Sequence, residues 1–192
     1  MARPREFDTT EVLSKAMDYF WKYGYEGASM QELVNHVGIK AQSLYNTFGG
    51  KRDLFFAALK HYVNQSTVVH TLEHTPSGKE AITQVFRELL AHLARSDRTR
   101  GCFINNTCVE LAPHDSEIAD FIEKERIRLE RAYYLALTRA KEQGEINERY
   151  QDLMALARYL NNAQGGLMVT AKTVTDMIVL EDIVGVTLSI FD

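Results

Sequence analysis

Apolar residues recur at helical spacing along the chain, and no stretch alternates apolar and polar positions in the manner of a strand. The first apolar run lies between Asp8 and Tyr23. It consists of Val12, Leu13, Ala16, Met17, Tyr19, Phe20 and Tyr23. Asp8 and Glu11 form a D-x-x-E start signal, and Gly24 follows as a stop signal. The pattern therefore predicts a first helix over this run.

Three further helices are predicted at short intervals. Ser29 and Glu32 form an S-x-x-E capping box, and Gly38 ends the helix that they begin. A third, short helix is predicted over residues 40–48, and a Gly-Gly pair separates it from a fourth helix that begins at Lys51. A helix, a tight turn containing glycine and a second short helix make up a helix-turn-helix.

The third predicted helix has faces of different character. Leu44 and Phe48, at i and i+4, direct one face towards the core. The other faces carry short polar side chains, which are Gln42, Ser43, Tyr45, Asn46 and Thr47. Glutamine and asparagine amides can pair with adenine, and Lys40 is suited to guanine or phosphate. We therefore predict that this helix enters a major groove of DNA. Lys51 with the first amides of its helix, and Ser29, are predicted phosphate contacts.

The segment from Ser29 to Leu54 resembles the DNA-binding domain of the tetracycline-repressor (TetR) family of bacterial regulators. The residues that carry the resemblance are Gly38, Ile39, Leu44, Tyr45, Phe48, Lys51 and Leu54. It departs from the family pattern at Val34 and Val37, where alanine is commoner, and at Gly49-Gly50. The resemblance implies that Tyr45 holds a phosphate. It also implies a dimeric regulator whose larger part binds a small molecule.

The rest of the chain is predicted to be helical as well, with breaks at 75–78, at Gly101 and at Pro113. The predicted helices cover 80–96, 103–111, 116–143, 150 to about 172, and 177–191. The fold class is therefore all-α. We predict a helix-turn-helix domain of three helices over 1–50 and a ligand-binding and dimerisation domain over 51–192, joined by a helix over 51–75. The resemblance implies dimerisation through the last two long helices, and Gly165-Gly166 suits a helix-pair seam.

Composition and charge limit the other possibilities. The net charge is −4, but residues 1–60 carry eight basic and seven acidic residues and are the less acidic part. DNA contact must then come from local charge and backbone amides. No apolar run approaches the ~18 residues that span a bilayer. The start, MARPREFDTTE, is polar where a secretory signal is apolar, so we expect a cytoplasmic protein without a membrane anchor. No cofactor is expected.

Cys102 is a candidate sensing thiol. It follows Gly101 at a predicted helix start, with Arg98 and Arg100 close in sequence, an environment that favours a thiolate. The GCF stretch also resembles a branch of the family in which some members detect oxidants or electrophiles through a cysteine. A packed, inert cysteine is the alternative. The wider set of predicted ligand-binding or sensing residues is Cys102, Phe103, Asn106, Glu110, Phe121, Tyr134 and Asn162.

Two other motifs have weaker interpretations. HTLEH, residues 70–74, matches the H-x-x-E-H pattern of zinc proteases, but the T-P-S-G sequence that follows ends the helix and no third ligand is evident. We therefore predict neither a catalytic nor a metal site. Arg3 and Arg5 flank Pro4 in a leader that could reach a minor groove or have no role.

The sequence thus predicts a homodimeric transcriptional regulator, not an enzyme. Its predicted partners are double-stranded DNA with a palindromic operator and an unidentified small-molecule effector. Repression that is released by the effector or by thiol modification is the expected mode. Two alternatives stay open, an architectural DNA-binding protein without a ligand and an enzyme that uses Cys102 with His92 or His114.

Overall fold

The computed structural model describes residues 7–95 and 98–192, and within these ranges the secondary structure is helical, without strands. The all-α prediction is confirmed. The helices are α1 Thr9–Tyr23, α2 Met30–Val37, α3 Ala41–Phe48, α4 Lys51–Gln65, α5 Val68–His74, α6 Gly78–Arg95, α7 Phe103–Glu110, α8 Ser116–Glu142, α9 Leu153–Thr170 and α10 Met177–Leu188. Short 3-10 turns cover Arg98–Arg100 and Ser189–Phe191.

The described residues form two compact units. Unit 1 contains the described chain up to Ser66 together with Phe103–Ala119, and unit 2 contains Thr67–Cys102 and Asp120–Asp192. Unit 1 therefore holds α1 to α4, α7 and the first turn of α8, whereas unit 2 holds α5, α6, the rest of α8, α9 and α10. The predicted DNA-binding domain over 1–50 is defined by its function, and its boundary at residue 50 stays a prediction.

Local capping residues start the first two helices where the sequence predicts. The Asp8 carboxylate accepts a hydrogen bond from the Thr10 amide at 2.8 Å at the start of α1. At α2 the Ser29 hydroxyl accepts from the Glu32 amide at 3.2 Å, and the Glu32 carboxylate accepts from the Ser29 amide at 3.2 Å. This capping box satisfies two amides that would otherwise lack partners at the helix end.

The helix predicted over 51–75 is instead two helices. α4 ends at Gln65, Ser66 is extended, and α5 begins only at Val68. Ser66 and Thr67 interrupt the helical run with side chains whose hydroxyls compete for backbone hydrogen bonds, which weakens a helix at this point. The apolar periodicity on either side conceals the break in the sequence.

The core of unit 1 is aromatic. Phe20 and Phe55 are completely buried, and their rings meet edge to face with centroids 4.9 Å apart. Phe103 of α7 adds a third buried ring, at 5.4 Å from Phe55 and close to Tyr62 at 5.8 Å. Such pairs contribute about 0.5–1.5 kcal/mol each beyond their burial. α7 is therefore an integral part of this unit.

The start of α8 is tied to the start of α4 by a charged network. Arg52 donates two hydrogen bonds to the Asp115 carboxylate, at 2.9 and 3.0 Å, and a third to Glu117 at 2.8 Å. Asp115 also accepts from the amides of Glu117 and Ile118, each at 3.1 Å. One carboxylate thus caps α8 and holds Arg52 at the same time.

Unit 2 is a helical bundle with a large aliphatic core. α6 begins close to α8, because a Cβ added at Gly78 would lie 2.0 Å from the Ala136 carbonyl oxygen and 2.5 Å from the Ala140 amide nitrogen. Only glycine permits this approach of the two backbones. Tyr133 is completely buried and donates to the Gln164 amide oxygen at 2.7 Å, and burial raises the pKa of its phenol. That bond joins α8 to α9.

Among the residues that the structure describes, no helix combines the length and the apolar character that crossing a bilayer requires.

We predict that Asp115→Asn destabilises unit 1 in a pH-dependent manner. Asparagine retains the helix cap but removes the charge facing Arg52. The pKa of the Asp115 carboxyl lies below its usual range, chiefly because of Arg52 and the Ile118 amide. The stabilisation is therefore complete above the ordinary aspartate pKa of about 4 and is lost as the pH falls through the lower pKa of the folded state.

Urea unfolding followed by Trp21 fluorescence checks this, because Trp21 is the single tryptophan and lies in unit 1. Asp115→Asn should lower the free energy of unfolding at pH 7, and its difference from wild type should shrink at pH 3. Glu117→Gln, which changes the more exposed partner of the same arginine, is the matched control with a smaller expected effect. An equal difference at both pH values would contradict the assignment.

Candidate nucleic-acid interface

The segment α2–turn–α3 is a helix-turn-helix built on three buried aliphatic residues. Leu33 and Leu44 are completely buried and Val37 is 2% exposed. Gly38 ends α2 in the left-handed conformation with φ of 79°, and its amide bonds to the Val34 carbonyl at 3.0 Å. A side chain is strained at that φ, so glycine is the favoured residue for the turn.

The outward side of α3 is polar, as predicted from the sequence. Lys40, Gln42, Tyr45 and Asn46 are exposed, and Ser43 and Thr47 are half-buried. The Gln42 amide nitrogen donates to the Asn46 amide oxygen at 2.9 Å across one helical turn. The two side-chain amides thus lie side by side, and each has hydrogen-bonding capacity that this bond does not use. Their roles in reading bases stay predictions.

Lys51 lies over an aromatic ring at the start of α4. Its ammonium nitrogen is 4.3 Å from the centroid of the Tyr25 ring, within cation–π distance. Asp53 accepts from the Gly50 amide at 3.1 Å and so caps the same helix end. Tyr25 packs edge to face on Phe55, with centroids 5.1 Å apart, which fixes the ring beneath the lysine. No local sequence pattern marks Tyr25 as part of this contact, because the contact joins residues 26 positions apart.

Ser29, a predicted phosphate contact, is exposed and already engaged locally. Its hydroxyl donates to the Glu32 carboxylate at 2.6 Å and accepts from the Glu32 amide. These bonds with the serine hydroxyl and amide hold the pKa of Glu32 below its usual range. A phosphate at this position would have to share the serine with the capping box.

Glu110 binds the backbone of the turn between α1 and α2. Its carboxylate accepts from the Tyr25 amide at 3.1 Å and from the Glu26 amide at 2.9 Å. A Cβ at Gly24 would lie 3.0 Å from the same carboxylate. α7 is thereby fixed to the turn that precedes the helix-turn-helix. The predicted role of Glu110 in binding a ligand is untested, and in this structure its oxygens bond to the turn.

The other predicted ligand-binding residues are divided between the units. Phe103 is buried in the aromatic core of unit 1, and Asn106 lies on the same helix, half-buried. Phe121 and Tyr134 of α8 are half-buried in unit 2, and Asn162 is exposed on α9. Tyr134 lines a surface depression of about 530 Å³ with four residues before and within the first turn of α9, Gln151, Asp152, Leu153 and Met154.

Cys102 is half-buried and packs against the core of unit 2. Cys108 is exposed on α7, which is continuous from Phe103 to Glu110. Within the described residues, neither cysteine forms a disulfide. Sensing by Cys102 remains a prediction.

Exposed apolar side chains lie along α9 and α10 in unit 2, and we call this set the apolar stripe. It consists of Tyr159, Val169, Ile178, Val179 and Val186, which are 45%, 57%, 63%, 41% and 71% exposed. α9 and α10 pack against each other. A Cβ added at Gly166 or Gly185 would meet no atom within 4 Å, so both glycines open onto solvent. Asn162 lies in the same row of α9 as Tyr159 and Gly166.

His70 and His74 of the HTLEH motif are both exposed on α5. Within 7–95 and 98–192, no three or more histidine, cysteine or acidic residues are grouped so as to hold a metal ion. Arg3 and Arg5, which could reach a minor groove or have no role, lie outside the described residues.

Comparison with known proteins agrees with this architecture. Residues 12–58 match the family of bacterial regulatory proteins named tetR. The chain is 46% identical over 194 residues to the HTH-type transcriptional regulator YezE of Bacillus subtilis (strain 168), with 100% of both chains covered. It is 31% identical over 192 residues to the HTH-type transcriptional repressor ComR of Escherichia coli (strain K12), covering 98% of this chain and 91% of ComR.

A solved structure is similar over the whole chain. It is the TetR family transcriptional regulator CifR, in a variant with three cysteines replaced, bound to a 26-bp double-strand operator DNA. The TM-score is 0.85 at 31% identity, with 100% of both chains covered. Full-length similarity to the two HTH-type regulators and to CifR, together with the helix-turn-helix on α2 and α3, shows that the chain belongs to the tetR family of bacterial transcriptional regulators.

Proposed function

We propose that the protein is a homodimeric repressor that acts in the cytoplasm and binds a palindromic operator through α3. The observation that carries the proposal is the outward face of α3, where Lys40, Gln42, Tyr45 and Asn46 are exposed opposite the buried Leu44. The operator complex of CifR and the name of ComR as a repressor support the same function by similarity.

The side-chain amides of Gln42 and Asn46 on α3 are the groups that we propose to recognise bases. Gln42 and Asn46 are one turn apart and hydrogen-bonded, so they approach a base pair as one unit. A bidentate amide contact with adenine discriminates against the wrong base by about 1–3 kcal/mol. Ser43 and Thr47, half-buried beside them, are short enough to let the helix approach the groove closely.

Phosphate contacts orient the helix on the duplex. Lys40 stands at the start of α3, which has no side-chain cap, so the first amides of that helix are available to a phosphate. Lys51 is held over Tyr25 at the start of α4, and Tyr45 is 47% exposed. With a net charge of −4, the protein needs such local contacts, because the whole chain does not attract DNA.

Dimerisation supplies a second α3 helix for the second half-site of the operator. Two α3 helices must lie about 34–36 Å apart to occupy successive major grooves on one face of DNA. The apolar stripe of α9 and α10 is the surface we propose for the partner subunit. Its exposed glycines permit close approach of helices, and a surface with this many exposed apolar side chains is typical of an interface.

Release from the operator would follow when an effector favours a conformation that does not fit DNA. A small molecule bound in unit 2, or modification of Cys102, would shift the population by about 1–3 kcal/mol of coupling free energy. This corresponds to a loss of operator affinity of about 5–150-fold. The protein is proposed to act as a regulator and not as an enzyme, and its curated relatives are transcriptional regulators.

We predict that Gln42→Ala and Asn46→Ala relax sequence preference, whereas Lys40→Ala and Lys51→Ala weaken binding to every duplex. The amide variants should lose about 1–3 kcal/mol of discrimination at one base position. Each lysine variant should reduce the salt slope of binding by about 1. The measurement is selection of bound genomic fragments, followed by mobility shifts over a salt series.

Asn64→Ala, at an exposed position of α4 outside the helix-turn-helix, is the control and should bind as wild type. Sequence-independent binding with a steep salt slope in the wild type would instead indicate an architectural DNA-binding protein.

We predict that Val186→Glu produces a monomer. The charge would lie within the proposed interface, where burying it without a partner is costly. Analytical ultracentrifugation should show the change in mass, with a parallel loss of operator affinity. Val109→Glu replaces a valine that is 83% exposed on α7 of unit 1 and is not part of the stripe, and this variant should stay dimeric. A dimeric Val186→Glu variant would rule out this surface.

Thiol sensing is tested by comparing two cysteine variants. If Cys102 is the sensor, hypochlorite or N-ethylmaleimide should release wild type and Cys108→Ser from the operator, and Cys102→Ser should stay bound. Mobility shifts before and after treatment give the readout. Retention of all three proteins on the operator would direct the search to small apolar effectors.

A further inference from the structure

His70 and His74 form an exposed pair one turn apart on α5. Their imidazole rings are stacked, with centroids 4.2 Å apart and an angle of 15° between the planes. Both side chains are exposed, whereas Thr71 and Leu72 between them are buried. The pair therefore lies on the solvent side of a helix whose other side is packed in unit 2.

A backbone hydrogen bond fixes which nitrogen of His74 can bind a ligand. His74 Nδ1 lies 3.0 Å from the His70 carbonyl oxygen. A carbonyl oxygen only accepts, so Nδ1 carries the proton and, in the neutral ring, Nε2 presents a free lone pair. This arrangement, with one ring nitrogen donating to a backbone carbonyl and the other left open, is the one that metal-binding histidines adopt.

The backbone beneath the pair is held in place. Arg139 of α8 donates to the Leu72 carbonyl and, at 3.3 Å, to the Thr75 carbonyl. Gln143 donates to the Pro76 carbonyl at 3.2 Å. The last carbonyls of α5 are thus tied to α8 within unit 2, and the two histidines project from a fixed helix end.

We propose that His70 and His74 form a binding site for a divalent transition-metal ion, Cu²⁺, Ni²⁺ or Zn²⁺. Two metal–nitrogen bonds of about 2.1 Å place the nitrogens roughly 3.0 Å apart at the 90° angle of Cu²⁺ and Ni²⁺, and roughly 3.4 Å apart at the tetrahedral angle of Zn²⁺. In the stacked conformer the lone pairs lie in nearly parallel ring planes, so the two exposed side chains must rotate to direct both nitrogens at one ion. Imidazole ligands select these metals over Mg²⁺ and Ca²⁺, and Cu²⁺ should bind most tightly.

The two imidazoles occupy two positions of the coordination sphere and water fills the rest. This differs from the protease interpretation of HTLEH, because it needs no third protein ligand and assigns no catalytic role to Glu73. The site concerns unit 2 alone and does not depend on the proposed DNA binding. Its test uses no DNA, so the two proposals fail independently.

Isothermal titration of the full chain without a polyhistidine tag, with Cu²⁺ and with Ni²⁺, tests the site. Wild type should bind one ion per chain. His70→Gln and His74→Gln should each bind at least about tenfold more weakly, because a single imidazole loses the chelate. His114→Gln removes another exposed histidine, outside the pair, and should bind as wild type.

Electron paramagnetic resonance of the Cu²⁺ complex supplies a second readout. Nitrogen hyperfine structure from two imidazoles is expected in wild type and from one in either variant. Circular dichroism should show that both variants stay folded, since the two positions are exposed. Failure of wild type to bind Cu²⁺, or equal affinity in wild type and both variants, would overturn the proposal.

Discussion

The complete burial of Leu44 determines which side of α3 points towards solvent. α3 has eight residues, too few to be stable as an isolated helix in water, so its existence and its orientation both depend on packing. Leu33 and Val37 of α2 are buried with it, and Gly38 sets the angle between the two helices. The polar face of α3 is thus defined by an apolar contact on its opposite side.

Most of this architecture could be predicted because its signals are local. Asp8 and Ser29 act on amides two or three residues away, and Gly38 acts through its own φ. α8 is found at Ser116–Glu142, against a prediction of 116–143, since Pro113 and Gly144 mark its surroundings. Boundaries of this kind depend on a few neighbouring residues, and the sequence contains all of them.

The features that the sequence could not predict depend on contacts between residues distant in the chain, or on a helix break that the apolar periodicity on either side conceals. The break between α4 and α5 falls at a short polar stretch with apolar helical periodicity on both sides, so the pattern alone does not distinguish one helix from two. Glu110 was expected to face a ligand, and its bonds to the Tyr25 and Glu26 amides cross more than 80 residues. The cation–π contact between Lys51 and Tyr25 depends on how α1, α2 and α4 pack, and no local motif encodes that packing.

Among the described residues of α3, Leu44 is the only one that is fully buried. Selection for folding and selection for recognition therefore act on different positions of the same short helix. Gln42 and Asn46 are exposed, so changes at these positions open no cavity in unit 1. With α3 as the proposed operator-reading helix, duplicated copies of such a gene can diverge towards new target sites one residue at a time, while each intermediate still folds. The division of one helix into a structural side and a free side is what makes that divergence accessible.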